Sequence, residues 1–403
     1  MQLLSITENM LLVFCSLGVL QGILLAALLY FHPRADKNVN RFLALYIFCT
    51  SMIMSLPLML RLIGWQNSFF IMPLPLLPGP LLYLYLLSFK QTITWKKALP
   101  HFIIFFLFFI AVKWNLSVLT KLFPNTAEVP AAALRRPATI AMSYSRSIQQ
   151  LLYFFLARRA LLSYQHSIKH LFSETSRIDL RWAKYLVNGY LVLIVTFIII
   201  FPLIIRFPEY FNLLLLINMA VATPYIYIAT YKGIFQPTIW QLKPELNKEV
   251  VEEQIQEADR AETIITETVI ETPKAVKTGL PSGRSEEIAE RITTLMEKEK
   301  LFQEPELTLQ QLAGRLDVPN YLVSLALNEG MKKTFYDLVN GYRVEEAKRL
   351  LLDAKNKNFT ILSVGFEAGF NSKTTFNTVF KKFTGLTPTE FRERNKEAVE
   401  TIA

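Results

Sequence analysis

FTILSVGFEAGFNSKTTFNTVFKKFTGLTPTEFR, residues 359–392, is the stretch that decides the fold of the C-terminal part of this chain. Thr360 is suited to cap a short helix, and Gly369 to adopt the left-handed conformation of the tight turn after it. Ser372 is suited to cap a second helix, and Gly365 leaves room for the two helices to cross closely. The spacing therefore predicts a helix-turn-helix.

Each of the two predicted helices has one apolar face. In the first helix, the residues expected to be buried are Ile361, Val364 and Phe366. In the second helix, they are Phe376, Val379, Phe380 and Phe383. Polar side chains occupy the opposite face of the second helix and leave it free for a partner. Gly385 and Pro388 end this helix and start the next one.

The chain resembles the AraC/XylS family of bacterial transcription regulators in its closing signature, here Gly369-Phe370, Phe376, Phe380-Lys381-Lys382, Gly385, Thr387-Pro388 and Phe391-Arg392. An ordinary helical subdomain with a charged face would explain the amphipathic pattern, but not the positions of glycine and proline. The resemblance implies two helix-turn-helices joined by a helix, with double-stranded DNA as the partner.

An earlier helix-turn-helix fits that tandem arrangement: a helix at 308–316, a turn at 317–319 and a recognition helix from Asn320. A linking helix follows, in which residues 340–347 match the family pattern. Its buried side is expected to hold Phe335, Leu338, Val339, Tyr342, Val344, Ala347, Leu350 and Leu351. Two residues depart from the family: Leu325 replaces a polar base-reading residue, and Lys332 replaces a glycine.

The resemblance and the polar helix faces together suggest the DNA-contacting residues. Amides and hydroxyls both donate and accept hydrogen bonds, and a threonine methyl can meet a thymine methyl. In the second recognition helix we therefore expect base contacts from Lys373, Thr374, Asn377 and Thr378. Phosphate contact or packing support is expected from Lys381, Lys382 and Arg392. In the first recognition helix the corresponding residues are Asn320, Tyr321, Ser324 and Asn328.

Composition indicates a membrane-embedded N-terminal half. The 403 residues are 52% hydrophobic and include 30 phenylalanines, which is too apolar for a soluble regulator. Residues 1–243 carry 21 Lys and Arg against 6 Asp and Glu, whereas residues 244–403 carry 22 against 27. The positive charge of the protein therefore belongs to the apolar half and not to the DNA-binding part.

Seven apolar stretches are each near the roughly 20 residues that cross a bilayer as a helix: 10–31, 42–60, 69–89, 98–119, 138–157, 185–205 and 210–231. The expected fold is all-α, a seven-helix transmembrane bundle joined to an all-α DNA-binding domain. Arg146, Gln149 and Gln150 lie inside the fifth stretch. Six spans plus a re-entrant or interfacial segment is therefore the alternative.

Loop charges predict the orientation. Fourteen Lys and Arg flank one side of these spans and six the other, so the positive-inside rule places the N-terminus outside and the C-terminus in the cytoplasm. DNA lies on the same cytoplasmic side, which requires an odd number of spans. The expected location is the bacterial inner membrane, in contact with membrane lipid.

Two parts of the membrane half are candidates for a ligand site or hinge. Pro78, Gly79 and Pro80 remove backbone donors inside the third span and predict a kink with exposed carbonyls, although a simple packing kink is the plainer interpretation. This run, within the overall pattern of spans, resembles the seven-span sensor half fused to AraC-type domains. Arg146, near Tyr144 and Gln149, is suited to an anionic or polar signal molecule, although a snorkelling arginine would need no ligand.

We expect four segments: a sensor domain at 1–240, an acidic cytoplasmic linker at 241–284, the DNA-binding domain at 285–396 and a tail at 397–403. The expected function is a membrane-bound transcription regulator that senses a small-molecule or envelope signal and is suited to act as a homodimer. A membrane transporter or scaffold with a DNA-binding appendage is the alternative. The four histidines have no metal-ligand spacing and no catalytic motif is present, so we expect neither enzymatic activity nor a cofactor.

Overall fold

The computed structural model describes residues 2–31, 37–124, 131–176, 178–235, 282–356 and 358–402, and the regular elements among them are helical. The expected all-α class is confirmed for these residues. The chain divides into two compact units. The first comprises Met1–Tyr164 and Leu180–Leu242, and the second Gln165–Asp179 and Lys243–Ala403. Most of the predicted linker at 241–284 lies outside the described residues.

The first unit is built from apolar helices. They are α1 (Gln2–Phe31), α2 (Lys37–Ile53), α3 (Leu56–Leu62), α4 (Pro78–Leu87), α5 (Trp95–Ala98), α6 (Ile103–Leu122), α7 (Ala131–Leu134), α8 (Pro137–Leu171), α9 (Ala183–Arg206) and α10 (Phe211–Ile234). Helix α1 packs closely on α2, because Gly18 faces Met54 and Gly22 faces Ser51 with no side chain between them. The last residues of α8 belong to the second unit.

Three helical stretches among the described residues are long and apolar enough to cross a membrane: Trp95–Leu122, Ala183–Arg206 and Pro208–Ile234. The expectation of seven such spans is therefore wrong. The described apolar parts of the first and third expected spans are shorter, at Cys15–Phe31 and Leu74–Leu87. Helix α2 has 17 residues, and α8 is long but interrupted by polar and charged side chains. Hydropathy windows over a sequence do not detect where a helix starts or breaks.

The prolines at 78 and 80 start a helix and do not kink one. They occupy the first turn of α4, where a missing backbone N–H costs nothing. The carbonyls expected to be exposed there have partners: Gln150 donates to Pro75 O at 2.8 Å, and Gln149 donates to Leu76 O at 3.1 Å. The predicted kinked span is thus a helix N-terminus held by amide side chains of α8.

The second unit contains the remaining helices. They are α11 (Ser282–Glu297), α12 (Leu309–Leu316), α13 (Asn320–Leu325), α14 (Phe335–Leu352), α15 (Ile361–Glu367), α16 (Lys373–Thr384) and α17 (Pro388–Ile402). Most positions that the sequence assigned to the buried side of α14 are buried, with Tyr342 and Leu350 partly so. The hydrophobic core cluster of the second helix-turn-helix comprises Val344, Ala347, Leu351, Val364, Ala368, Phe370, Phe376, Val379 and Phe380.

Two phenylalanines that were expected in this core are largely exposed. Phe366 is 51% exposed because it lies two residues after Val364, on the opposite side of α15. Phe383 is 41% exposed because it lies one turn beyond the end of the core and reaches Gly341 of α14. The buried surface of this motif therefore ends at Phe380.

Gly365 allows α15 and α16 to cross as closely as they do. A Cβ atom at this position would lie 2.6 Å from Phe376 Cδ1, whereas a Cβ atom at Gly314 of α12 would meet nothing within 4 Å. We predict that Gly365→Ala destabilises the motif by about 1–3 kcal/mol through overpacking. Hydrogen–deuterium exchange of the α16 amides in the full-length protein measures this change.

Gly314→Ala is the matched control, since it adds the same methyl group to a helix without a clash. It should leave α16 protection unchanged and stabilise α12 by about 0.5–1 kcal/mol. Unchanged exchange of α16 in the Gly365→Ala variant would mean that the close crossing is not required.

Candidate nucleic-acid interface

The second helix-turn-helix is defined by side-chain caps and one left-handed turn. Thr360 Oγ1 accepts a hydrogen bond from Ser363 N at 3.0 Å, and Ser372 Oγ accepts one from Thr375 N at 3.1 Å. Between the helices, Gly369 has a φ of +92°. A side chain at Gly369 would also lie 2.6 Å from the carbonyl oxygen of Phe302, so this turn needs glycine for two reasons. The caps and the turn predicted from the sequence are confirmed.

Helix α16 presents its polar face to solvent. Lys373, Thr374, Thr378 and Lys381 are exposed, and Asn377 is half-buried beside them. Helical spacing brings these five residues together on one face, since they lie one, three and four positions apart. Lys373 makes no ion pair with any described residue. A long cation, two hydroxyls and an amide on one exposed face form a surface that can contact phosphates and base edges together.

Lys382 is held by the protein itself. Its ammonium forms an ion pair with Asp337 of α14 at 2.6 Å and lies 5.6 Å from the ring centre of Tyr336. Burial opposes ionisation of Asp337, but hydrogen bonds from Lys382 and Thr334 outweigh it and lower the pKa of this carboxyl group. Of the two roles considered for Lys382, the structure favours packing support over phosphate contact.

Arg392 has a similar supporting position. Its guanidinium donates to the carbonyl oxygens of Phe359 at 2.8 Å and Asn356 at 2.9 Å, so it ties α17 to the loop before α15. Lys381 is exposed and lies near Glu390 without pairing directly with it. Lys381 is therefore the better phosphate candidate at this end of α16.

The first helix-turn-helix begins with a capping box at Thr308. Thr308 Oγ1 accepts from Gln311 N, and the Gln311 side chain accepts from Thr308 N at 2.8 Å. Asp317 ends α12 in the left-handed conformation with a φ of +53°. The following recognition helix α13 has only six residues and continues as a π-helical turn, Ala326–Gly330.

The residues predicted to contact DNA from this first motif are less uniformly presented. Tyr321 is 54% exposed, whereas Asn320, Ser324 and Asn328 are half-buried. Leu325 is also half-buried, in the place of a polar base reader. Lys332, which was expected to stand in the place of a glycine, has a φ of +51°. The backbone therefore has the left-handed conformation that suits glycine. A lysine adopts this conformation at a cost of about 1–2 kcal/mol.

Sequence reasoning missed a buried arginine at the centre of the second unit. Arg343 is fully buried in α14; its Nε donates to Phe302 O at 2.7 Å and its Nη2 to Glu304 O at 2.6 Å. Its Nη1 lies 3.4 Å from Asn340 Oδ1. Burial lowers the pKa of Arg343 to about 10, which leaves it charged at neutral pH. The sequence did contain a signal for this burial, because Asn340 and Arg343 lie three positions apart within the apolar stripe of α14.

A second missed feature is the short segment 172–176, which belongs to the same unit. Phe172 pairs with Thr308 in an isolated antiparallel bridge, and Ser173 N donates to Leu307 O at 3.2 Å. Glu174 Oε1 accepts from Thr375 Oγ1 of α16 at 3.2 Å. The segment precedes its partners by more than 130 residues, so no local pattern could have indicated this contact.

The predicted ligand residues lie in the first unit and are only partly brought together. Arg146 lines two cavities, of about 170 and 150 Å³, whereas Tyr144 packs its ring edge-on against Phe201. Gln149 is buried against α4, and Pro78 lines the smaller cavity. Gly79 allows α4 to pack closely against α8, because a Cβ atom at this position would lie 2.8 Å from Tyr153 Cβ. Pro80 is buried in the first turn of α4.

A family model described as a helix-turn-helix domain matches residues 312–394. The matched range starts in α12 and ends in α17, so it covers both motifs and the helix between them. It supports an AraC-type DNA-binding domain and a role as a DNA-binding transcription regulator. No curated protein and no solved structure matches the chain.

Asn377→Ala and Lys381→Ala test the two kinds of DNA contact on α16. Loss of the amide should weaken binding to the cognate operator by about 1–3 kcal/mol and relax specificity at one base pair. Loss of the ammonium should weaken binding to all DNA sequences. It should also reduce the slope of log affinity against log salt concentration by about 1, the value for one lost phosphate contact. Fluorescence anisotropy at several salt concentrations distinguishes the two outcomes.

The circular dichroism spectra of both variants should match that of the parent protein, because both side chains lie on the solvent face. Unfolding of either variant would instead place that side chain in the core. Equal effects of both substitutions on cognate and random DNA would contradict the assignment of Asn377 to base reading.

Proposed function

We propose that this protein is a membrane-bound, sequence-specific transcription regulator that couples a signal in the membrane, or at its outer face, to gene expression. The observation that carries this proposal is the exposed polar face of α16, on a chain whose first unit exposes a broad apolar surface. The first feature is suited to DNA and the second to lipid. A protein that works only in water or only in the bilayer would not use both surfaces.

The DNA contacts proposed are Lys373, Thr374, Asn377, Thr378 and Lys381 from α16, with Lys382 as a supporting residue. Asn320, Tyr321, Ser324 and Asn328 form the proposed contact set of the first motif. Because α13 is short and three of the motif's four candidates are half-buried, we expect this motif to contribute less specificity. A homodimer on a two-part operator would compensate for that weakness and for the net negative charge of residues 244–403.

The membrane assignment is supported by exposed apolar side chains on the candidate spans. On α6, Phe106, Leu107 and Ile110 are each more than half exposed, and Ile199 on α9 is 58% exposed. A surface of this kind is unfavourable in water and favourable against lipid chains. We further propose the bacterial inner membrane as its location, with the N-terminus outside and the DNA-binding domain in the cytoplasm, because DNA lies in the cytoplasm and three spans are an odd number.

The division into a sensor domain (1–240), a linker (241–284), a DNA-binding domain (285–396) and a tail (397–403) is part of this proposal. The signal is proposed to act on the first unit near Arg146, Tyr144 and Gln149, which lie on one stretch of α8. Pro78, Gly79 and Pro80 start α4, where Gly79 lies against Tyr153 of the same helix α8, and Gln149 and Gln150 of α8 donate to the carbonyl oxygens of Leu76 and Pro75 just before α4. A shift of α8 would therefore be felt at both places.

Genome-wide DNA footprinting tests the proposal, using the full-length protein in its membrane and residues 282–403 alone. We expect a small set of sites that share an operator, with occupancy by the full-length protein changing between growth conditions. Occupancy by the fragment should not change, since the fragment lacks the sensor. Equal, condition-independent occupancy by both would contradict control by the membrane part.

The transporter or scaffold alternative is separated by a transcriptome of cells that lack the protein. A regulator should alter a small group of genes whose promoters contain the footprinted operator. A transporter with a DNA-binding anchor should leave no operator-sharing group altered.

A further inference from the structure

Arg146 is a cation in a mostly apolar setting, with no matching anion among the described residues. Its Nε is buried and has no hydrogen-bond partner among the described residues, and no ion pair with a described residue involves it. Its guanidinium carbon lies 4.0 Å from the ring centre of Phe197. An aromatic face offsets only part of the cost of holding a charge away from water. The site therefore favours an anion close to Arg146.

The surroundings of Arg146 are suited to a hydrocarbon chain. Both cavities are lined mostly by apolar side chains, and Arg146, Ile53, Leu56 and Pro75 line both of them. Tyr190, which is 3% exposed, also lines the smaller cavity, and its buried hydroxyl has no hydrogen-bond partner among the described residues. A cation shared by two mostly apolar cavities, with an unpartnered hydroxyl near one of them, matches an anionic head group with an aliphatic tail.

We infer that the first unit binds a single-chain anionic amphiphile, with its carboxylate or phosphate on Arg146 and its tail in the adjoining cavities. This inference rests on the proposed sensor function and specifies its ligand class. Tyr190 donates a second hydrogen bond to the head group. Selectivity over uncharged lipids follows, because a neutral head group would leave the guanidinium without an anion.

The test uses full-length protein in nanodiscs of zwitterionic phosphatidylcholine, with decanoate as probe and decanol as its uncharged counterpart. Equilibrium dialysis should detect saturable decanoate binding above that of empty nanodiscs and much weaker decanol binding. Arg146→Gln should lower decanoate affinity by about tenfold to a hundredfold, the effect of losing a charged hydrogen bond. Arg146→Lys, which keeps the charge, should retain most of it.

Equal decanoate binding by the parent and Arg146→Gln proteins, or equal binding of decanoate and decanol, would overturn the inference. Loss of decanoate binding in nanodiscs that contain phosphatidylglycerol would support the same site with a bilayer lipid as its occupant. Binding of a random DNA duplex by each variant is the folding control. Persistence of that binding would leave the proposed regulator intact even where the ligand inference fails.

A second inference rests on a different observation, the docking of segment 172–176 within the second unit. Ser173 is fully buried: its Oγ donates to Leu307 O at 2.7 Å, and its carbonyl oxygen accepts from Asn340 Nδ2 at 2.9 Å. Arg343 Nη2 lies 3.4 Å from Ser173 Oγ. The segment thus contacts the linking helix α14, the start of α12 and, through Glu174, the start of α16.

Glu174 places a carboxylate where DNA phosphate would approach the recognition helix. Its Oε1 accepts from Thr375 Oγ1 in the first turn of α16, next to the exposed Lys373 and Thr374. Its Oε2 is buried and has no hydrogen-bond partner among the described residues. Helix N-termini attract phosphate, so a fixed negative charge at this one competes with the DNA backbone.

The geometry points to segment 172–176 as an autoinhibitory contact that lowers DNA affinity while it is docked. The segment follows α8 directly and is joined by residues 177–182 to α9, which is one of the candidate spans. A change in either helix therefore pulls on the segment through the chain itself. Undocking removes the Glu174 charge from the start of α16 and frees that end for phosphate.

Glu174→Gln tests this contact, because the amide can still accept from Thr375 but carries no charge. The probe is a random-sequence DNA duplex of about 30 base pairs, since the proposed competition is electrostatic and independent of sequence. The full-length variant should bind this duplex about fivefold more tightly at low salt, as expected for removing one like charge at a helix N-terminus. The difference should shrink as salt rises.

Glu345→Gln is the matched control, since it removes one exposed negative charge from α14 on a side that pairs with Lys348. Its affinity for the duplex should stay within twofold of the parent value. Hydrogen exchange of segment 172–176 in the parent protein should increase when DNA is added. Equal affinity of the Glu174→Gln variant and the parent, or unchanged exchange on DNA binding, would overturn the inference.

Discussion

The buried guanidinium of Arg343 is the interaction on which the second unit depends. A charge taken out of water is tolerated only when its N–H groups find acceptors, and Arg343 finds them in the carbonyl oxygens of Phe302 and Glu304. These carbonyls lie in the loop before the first helix-turn-helix, whereas Arg343 lies on the helix that leads to the second. One side chain therefore links the two helix-turn-helix motifs. It also reaches Ser173, so the same side chain holds the segment that leads back to the first unit.

A comparison with Arg146 shows how differently the chain treats its two buried arginines. Arg343 is surrounded by backbone oxygens, and its position is that of a structural cation. Arg146 lies against the face of Phe197 and lines two mostly apolar cavities, and its Nε has no partner among the described residues. The physical chemistry of burying a charge is the same in both cases. The difference in available acceptors is what separates a packing role from a proposed binding role.

Sequence patterns located the C-terminal motifs closely because their signals are local. Thr360, Ser372, Gly369 and Gly385 each act within a few residues of themselves, and the structure has them as caps and turns. Phe366 and Phe383 were misplaced because apolar character alone does not say where a core ends. The seven expected spans were misjudged for a related reason: hydropathy is averaged over windows, whereas Pro78 and Pro80 start a new helix at one residue.

The sequence by itself determined the all-helical class, the tandem helix-turn-helix with its polar recognition face, and the contrast between an apolar basic half and an acidic DNA-binding half. The first two follow from propensity and periodicity, which act over one helix or less. The third follows from counting charged and apolar residues along the chain. Tertiary structure alone decided that Lys382 pairs with Asp337, that Arg343 is the hub, that Ser173 is buried against α14, and that Glu174 reaches the recognition helix α16. These contacts join residues far apart in the chain, and their energies depend on burial and on partners that no local pattern encodes.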